Sequence, residues 1–181
     1  DEKMSKSLGN FLTIRDVLNQ YPAETLRLFL FSTQYRNPLD FSETALQDAQ
    51  TGLDRMYGCL AGVADLLGTS EPGQGDVSRI GKKDRNKLSS LRQQFQRAMD
   101  NDFNTAQAMG YLFDVVKTLN KVVRLLSTEA GTAEDVDLVR QTGADLQDLA
   151  GLMGVLLQDP GAYMQAKKDK LLAAVDLSEE E

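Results

Sequence analysis

The chain of 181 residues contains no histidine and no tryptophan, and it has one cysteine and four prolines. Without histidine it cannot build a Ser-His-Asp triad, a Cys-His pair or an imidazole metal site. The single cysteine, Cys59, can form no internal disulfide and cannot supply a four-cysteine zinc site. We therefore exclude the histidine-dependent hydrolases, and we expect no metal site within the chain.

Long apolar runs are also missing from the sequence. No stretch of about 18 apolar residues is present, and the first residues do not resemble a signal peptide. We predict a cytoplasmic protein, monomeric and without membrane contact. The chain does not begin with methionine, and Ser178 to Glu181 resemble the start of a capped helix. We therefore expect a longer protein that continues beyond both ends.

The charge is acidic overall but unevenly distributed. The net charge is −7, from 27 acidic and 20 basic residues. Residues 1–78 carry −5, residues 79–97 carry +6 and residues 98–181 carry −8. A basic segment within an acidic protein is compatible with local contact to a polyanion, although a solvated helix face gives the same pattern.

Apolar residues recur every three or four positions through most of the chain, and strict alternation is absent. This spacing predicts amphipathic helices, so we expect an all-α protein without a β-sheet. We predict two short helices at 14–20 and 22–33, an up-down bundle of four longer helices, and a short helix near 161–173. The apolar sets of the bundle helices begin at Ala45, Leu88, Met109 and Val139.

Capping sequences precede several of these helices. Thr13 to Asp16 resembles a capping box, Asp40 to Glu43 precedes the helix predicted at 42–68, and Asn104 precedes the helix predicted at 105–127. Side-chain oxygens at such positions accept hydrogen bonds from the free N–H groups of the first turn. These residues therefore predict where the helices begin.

The most specific chemical signal lies in residues 3–7, which read Lys-Met-Ser-Lys-Ser and are followed by Gly9 and Asn10. Two ammonium groups among small hydroxyl residues suit a polyphosphate ligand. Such a loop can stabilise charge that develops on a leaving pyrophosphate, and this chemistry needs no general base. Two lysines three positions apart would not by themselves indicate a phosphate-binding loop, so this inference depends on the complete five-residue match.

The five residues match the KMSKS motif, and they resemble the ATP-binding loop of class I aminoacyl-tRNA synthetases. Glu24 to Arg27 resembles the DALR-type segment of the class Ia enzymes, with Glu-Thr in place of Asp-Ala. With Tyr35 to Ser42 and Ala98 to Thr105, the combination is similar to cysteinyl-tRNA synthetase from residue 3 to about 126, and the similarity continues more loosely to residue 181. Asn101 and Ala106 depart from the family pattern, which usually has an acidic residue and a proline there.

The resemblance implies an enzyme that activates cysteine with ATP and Mg²⁺ and then ligates it to tRNA-Cys. Lys6 would be the catalytic residue that binds ATP phosphates, and Lys3, Ser5 and Ser7 would form the rest of the cofactor-binding loop. The HIGH nucleotide motif and the zinc ligands of the family would lie outside this chain. We therefore expect the chain to be inactive alone.

The resemblance also divides the chain into parts. Residues 1–41 would form the KMSKS loop and stem-contact helices, residues 42–177 a DALR-type bundle, and residues 178–181 the start of a truncated domain. We expect helices 14–33 to show apolar surface toward the absent domain, Arg27 to pair with a carboxylate at the bundle junction, and Cys59 to pack in the core. The expected tRNA-phosphate contacts are Arg36, Lys82, Lys83, Arg85 and Lys87.

Two alternatives stay open at the level of sequence. Cysteine ligases that acylate an amino-sugar inositol keep a similar loop but lack an anticodon domain, and the capped-helix start at Ser178 mildly favours the synthetase. A non-enzymatic helical adaptor, binding partner helices on an apolar face, would require the match at residues 3–7 to be accidental. Three further matching stretches disfavour that second alternative.

Overall fold

A computed structural model describes residues 13–68 and 73–178, and within these ranges the chain forms eight α-helices and no β-strand. The predicted all-α fold is therefore confirmed. The helices are α1 (Ile14–Gln20), α2 (Ala23–Phe31), α3 (Glu43–Gly68), α4 (Lys82–Ser89), α5 (Leu91–Asp100), α6 (Thr105–Thr128), α7 (Ala133–Leu152) and α8 (Pro160–Ser178). None of the described helices is both long and apolar enough to cross a membrane.

The predicted capping residues start their helices. The Thr13 hydroxyl accepts a hydrogen bond from Asp16 N at 3.1 Å, and the Asp16 carboxylate accepts one from Thr13 N at 2.9 Å. Asn104 Oδ1 accepts from Gln107 N at 3.0 Å at the start of α6. Ser42 caps α3 in the same way through Ala45 N, at 3.1 Å. Local side-chain chemistry thus determines these three boundaries.

The second predicted bundle helix is wrong as a single element, because the chain breaks at Ser90 between α4 and α5. The Ser90 hydroxyl donates to Lys87 O at 3.2 Å, and the neighbouring Ser89 hydroxyl donates to Asn86 O at 3.3 Å. Serine hydroxyls compete in this way for backbone groups of the preceding turn. The apolar spacing continues through the break, which is why periodicity alone did not reveal it.

The boundary between α7 and α8 also differs from the prediction. The apolar set from Val139 to Leu156 continues past the end of α7 at Leu152, into a turn with positive φ angles at Gly154 (68°) and Leu156 (62°). Leu156 is buried to 1% exposure, so its apolar side chain belongs to the core although it lies outside a helix. The last helix is longer than predicted and runs from Pro160 to Ser178.

The core lies among α3, α6, α7 and the α4–α5 pair. Its largest fully buried side chains come from these elements and from the turn after α7: Tyr57, Leu53, Met56, Leu88, Leu91, Leu112, Leu119, Leu146, Leu156, Val115, Val122 and Val139. A smaller cluster of Val17, Phe29 and Leu46 joins α1 and α2 to the start of α3. The two short helices are therefore packed against the bundle by an apolar contact of their own.

Helices α1 and α2 also expose large apolar side chains, as predicted. Ile14 is 70% exposed, Leu18 is 45% exposed and Leu30 is 48% exposed. Single exposed apolar side chains are ordinary, but three on two short helices make a partly apolar outer surface. This surface continues into the groove described below.

We expect Leu112→Ala to lower the free energy of unfolding by about 2–5 kcal/mol, because it leaves a cavity at a fully buried position of α6. Gly110→Ala, two residues earlier, is the matched control. A Cβ there meets nothing within 4 Å, and alanine favours the helix by about 1 kcal/mol. Urea unfolding of the 181-residue chain should therefore show a lower free energy of unfolding for Leu112→Ala and a higher one for Gly110→Ala. Equal changes in the two variants would contradict the packing described.

Candidate functional site

The predicted ATP-loop residues Lys3, Ser5, Lys6 and Ser7 lie outside the described residues. The described part of the candidate site begins with α1 and α2, which follow that loop in the chain. Two features determine the geometry of this site: the contacts that attach α2 to the bundle, and the positions of the charged side chains on the bundle helices.

Glu24 in the first turn of α2 is the main polar attachment. Its side chain is buried, with the residue 5% exposed, and it accepts three hydrogen bonds. Tyr57 Oη of α3 and Leu156 N donate to Oε2, each at 2.8 Å, and Gln158 Nε2 donates to Oε1 at 3.1 Å. One carboxylate therefore joins α2, α3 and the turn between α7 and α8. Its location within the DALR-type segment was predicted, but its partners were not.

A polar network extends from this carboxylate along α3. The Tyr57 ring stacks on Tyr163 of α8, with centroids 3.8 Å apart and an interplanar angle of 14°. Tyr163 Oη donates to Asp54 Oδ1 at 2.7 Å, and Lys167 Nζ donates to Asp54 Oδ2 at 2.6 Å. Burial works against ionisation of Asp54, but these donors outweigh it and hold its pKa below the usual value. The network attaches α8 to the bundle.

Arg27 has a different partner from the one predicted. Its Nη1 donates to the backbone carbonyl of Gly154 at 3.1 Å, and no carboxylate pairs with it among the described residues. The side chain lies against Gly154, where a Cβ would come within 2.9 Å of Arg27 Cδ. Gly154 also has a positive φ, so this turn suits glycine for two reasons. Arg27 is a structural contact to the turn after α7.

Arg36, a predicted phosphate contact, is held by Asp102, which follows α5. Its Nε and Nη2 lie 2.8 and 3.2 Å from the two carboxylate oxygens. Tyr35 Oη donates to Asp102 Oδ1 at 2.9 Å. The Arg36 hydrogen bonds are the main reason that the pKa of Asp102 lies below its usual value. Two stretches that the sequence analysis matched separately, around residues 35 and 102, thus form one contact.

An apolar groove of about 600 Å³ adjoins this contact. It is lined by Leu30, Phe31, Thr33, Gln34, Tyr35, Asn37, Leu39, Met99, Phe103, Thr105, Leu152 and Met153. Phe103 is 65% exposed and Leu152 is 74% exposed at its edge. Asp102 and Phe103 have φ angles of 54° and 49°, a conformation that non-glycine residues adopt rarely. The hydrogen bonds to Asp102 stabilise the turn that leaves Phe103 exposed.

Arg85, another predicted phosphate contact, pairs with a buried carboxylate. Its Nη2 lies 2.5 Å from Oδ1 of Asp135, whose side chain is fully buried. Asp135 also accepts hydrogen bonds from Ser78 Oγ at 2.8 Å and from Arg79 N at 2.7 Å. Burial would raise the pKa of Asp135, but the hydrogen bonds and the charge of Arg85 outweigh it, so the pKa is lowered. Asp135 is not among the residues predicted from the sequence.

The remaining predicted phosphate contacts lie on α4. Lys87 Nζ is 3.3 Å from Asp114 Oδ1 of α6, in a half-exposed ion pair. Lys82 and Lys83 are exposed in the first turn of the helix. The basic segment of the sequence is therefore partly neutralised by carboxylates from α6 and α7. Contact of any of these residues with tRNA stays a prediction.

Cys59 is buried at 1% exposure, and its Sγ lies 3.7 Å from Val116 O. Burial raises the pKa of its thiol to about 12, so the thiolate required of a zinc ligand is disfavoured. The predicted packing role of Cys59 is therefore confirmed. Among residues 13–68 and 73–178, no group of three or more candidate ligand side chains could hold a metal ion.

Comparisons with known proteins identify two matching family models. Residues 1–51 match a model described as the tRNA synthetases class I (C) catalytic domain, and residues 94–158 match the DALR domain. The cysteine--tRNA ligase of Desulfotalea psychrophila is 48% identical over 184 residues, which cover 100% of this chain and 36% of that protein. The cysteine--tRNA ligase of Geotalea uraniireducens is 41% identical over 187 residues, covering 99% of this chain and 37% of that protein. The chain thus spans about a third of the length of these relatives.

We expect Asp135→Asn to destabilise the chain by about 1–3 kcal/mol at pH 7, because buried hydrogen-bond donors lose their charged acceptor. The folded-state pKa of Asp135 is depressed, so its stabilisation is present above the unfolded-state pKa near 3.8 and is lost as pH falls through the folded value. The free energy of unfolding, measured with urea between pH 7 and pH 3, should be lower for the variant than for the wild type, and this difference should narrow below about pH 4. Asp137→Asn, at an exposed position of the same helix, should have almost the same free energy of unfolding as the wild type at every pH.

We expect Glu24→Gln to lower the free energy of unfolding by about 1–3 kcal/mol, because the amide of glutamine cannot accept all three donated hydrogen bonds. The exposed Glu43→Gln in the first turn of α3 is the control, and its effect should stay within about 0.5 kcal/mol. Equal effects in chemical denaturation would contradict the central role assigned to Glu24.

Proposed function

Because the chain belongs to the cysteine--tRNA ligase family, we propose that it forms part of an enzyme that activates cysteine with ATP and ligates it to tRNA-Cys. In this proposal the chain supplies the ATP-phosphate-binding loop and a tRNA-docking helical bundle to a monomeric cytoplasmic enzyme. The observation that carries the proposal is the complete Lys-Met-Ser-Lys-Ser sequence at residues 3–7, inside the match to a catalytic domain.

The proposed chemistry of the loop is electrostatic. The Lys6 ammonium binds ATP phosphates and offsets negative charge as pyrophosphate leaves during cysteine activation. Lys3, Ser5 and Ser7 complete the loop with a second charge and hydroxyl groups that bind phosphate oxygens. Mg²⁺, when bound with ATP, neutralises further phosphate charge. None of these roles requires a histidine in this chain.

The named relatives favour this function over the two alternatives. The reported relatives are cysteine--tRNA ligases, and their similarity extends over almost the whole chain. A helical adaptor with an accidental motif would not be expected to match both a catalytic-domain model and a DALR model. Ligation to an amino-sugar inositol has no specific observation in its favour.

We propose that the remaining parts of the catalytic domain, including the family's zinc ligands, lie outside this chain. The described residues do not fit a zinc site, because Cys59 is a lone, buried thiol with a raised pKa. The apolar groove beside Phe103 is proposed to pack against those remaining parts, since its wall from α2 belongs to the catalytic-domain match. The division at residues 41 and 177 remains our proposal for the domain boundaries.

The bundle is proposed to dock tRNA through phosphate contacts. Of the residues predicted for this role, Arg36 and Arg85 hold carboxylates within the chain, and Lys87 shares its charge with Asp114. Lys82 and Lys83 have no ion pair among the described residues and are exposed. They are therefore the members of that set best able to contact a phosphate.

We expect Lys6→Ala, introduced into the full-length protein that contains this chain, to reduce cysteine-dependent ATP–pyrophosphate exchange by about 10²- to 10³-fold. The loss of one preorganised charge that stabilises a transition state has an effect of this size. The assay reports the activation step and requires no tRNA, so it isolates the proposed role of the loop.

Lys168→Ala is the matched control, because Lys168 is exposed on α8 and outside the loop. Its exchange rate should equal that of the wild type. If the wild-type protein shows no cysteine-dependent exchange, or if Lys6→Ala exchanges normally, the proposed function is wrong. Exchange that depends on another amino acid would overturn the choice of cysteine.

A further inference from the structure

A row of basic side chains runs along the outer face of α6. Lys117, Lys121 and Arg124 are all exposed and follow one another at spacings of four and three residues. This spacing places them on one side of a helix, over about 10 Å of its length. This row does not stand out in the sequence, because residues 98–181 carry a net charge of −8 as a whole.

Two adjoining surface grooves follow the same row. The first, of about 470 Å³, is lined by Arg55, Phe113, Asp114, Val116, Lys117 and Asn120. The second, of about 550 Å³, is lined by Lys117, Asn120, Lys121, Arg124, Leu125 and Thr128. The two grooves share Lys117 and Asn120 and therefore adjoin along α6. Together we call them the trough, which extends from Arg55 of α3 to Thr128 at the end of α6.

The charges in this trough are mostly not compensated. Its lining contains four cationic side chains and one carboxylate, Asp114. Asp114 is bound by Lys87 from α4 at 3.3 Å, and Lys121 binds Asp84 at 2.7 Å. Among the described residues no ion pair involves the other three cations of the trough, which are Arg55, Lys117 and Arg124. The trough is therefore a positive surface on an acidic protein.

The trough suits an extended polyanion better than a small ligand. Small-molecule sites are concave and bury most of their ligand, whereas the polar side chains here stand on an exposed helix face. Asn120 and Thr128 add neutral hydrogen-bonding groups between the cations. Arginine, lysine, asparagine and threonine are among the side chains that bind nucleic-acid phosphates. The ion pairs to α4 also place the exposed Lys82 and Lys83 on a neighbouring helix.

We propose that Arg55, Lys117 and Arg124 bind the phosphate backbone of RNA along the outer face of α6. The inference rests on the proposed function, in which the bundle docks tRNA, and it assigns that contact to a surface. The proposed RNA contact is therefore centred on α6 rather than on the basic segment at residues 79–97, and α4 lies at the edge of this surface.

The test compares two triple variants of the full-length protein that lose the same charge. The first is Arg55→Gln, Lys117→Gln and Arg124→Gln, and the control is Arg97→Gln, Arg140→Gln and Lys170→Gln on α5, α7 and α8. Affinity for a tRNA-Cys transcript is measured over a series of salt concentrations. We expect the α6-face variant to reduce the slope of log K against log salt by about 2–3, since each lost phosphate contact removes about 0.7–0.9. The control should retain the wild-type slope.

The outcomes separate the two proposals. Normal cysteine-dependent ATP–pyrophosphate exchange in both triple variants shows that they are folded. If the α6-face triple variant fails to fold, the salt dependence of tRNA binding is measured for the single variant Lys117→Glu instead. One outcome is that the wild type binds tRNA while the slope of log K against log salt is unchanged in both variants, or reduced equally in both. In either case the assignment of the RNA contact to the α6 face is wrong, while the proposed function stands. If the wild type exchanges pyrophosphate but binds no tRNA, both the docking proposal and this inference fail. A loss confined to tRNA-Cys and absent for unrelated tRNA would contradict a phosphate-backbone site.

Discussion

The positions of α2 and of the turn before α8 depend on one buried carboxylate. Glu24 belongs to a helix of nine residues, too short to be stable by itself, and its hydrogen bonds connect that helix to α3 and to the turn before α8. The Leu156 N–H reaches this carboxylate from a residue with positive φ. Such a conformation costs roughly 1–3 kcal/mol, and the carboxylate and the buried Leu156 side chain offset that cost. The turn after α7 and the position of α2 therefore stabilise each other.

The positive charge of the sequence and the unpaired positive charge of the surface are distributed differently, because ion pairs between helices neutralise part of the most basic segment. The basic segment at residues 79–97 stands out in the sequence, but Arg85 and Arg92 are bound by carboxylates of α7, and Lys87 by one of α6. The cations of α6 do not stand out in the sequence, because residues 98–181 carry a net charge of −8 as a whole. Counting charges along the chain cannot separate these cases, because the partners lie about 25 to 55 residues apart.

The sequence predicts the helical class and several helix starts because their causes are local. The caps at Thr13, Ser42 and Asn104 act within three residues, so they are visible in a short stretch. The break at Ser90, the irregular turn after Leu152 and the partner of Arg27 depend on competing hydrogen bonds or on contacts distant in sequence. The same holds for the Glu24 and Asp135 sites: their residue types are visible, but their burial comes only from the packed fold.

The attachment of α2 has a consequence for the loop that carries the proposed chemistry. Six residues lie between Ser7 and the first residue of α1, Ile14, so the proposed ATP-binding loop is close to this helix in the sequence. Helix α1 is joined to α2 by one residue pair, Tyr21 and Pro22, and Val17, Phe29 and Leu46 form one apolar cluster that connects α1, α2 and α3. The position of α1 therefore sets the point at which residues 1–12 join the packed helices. If RNA binds along α6, it binds the same packed body to which α2 is attached, and the carboxylate of Glu24 is the main polar part of that attachment.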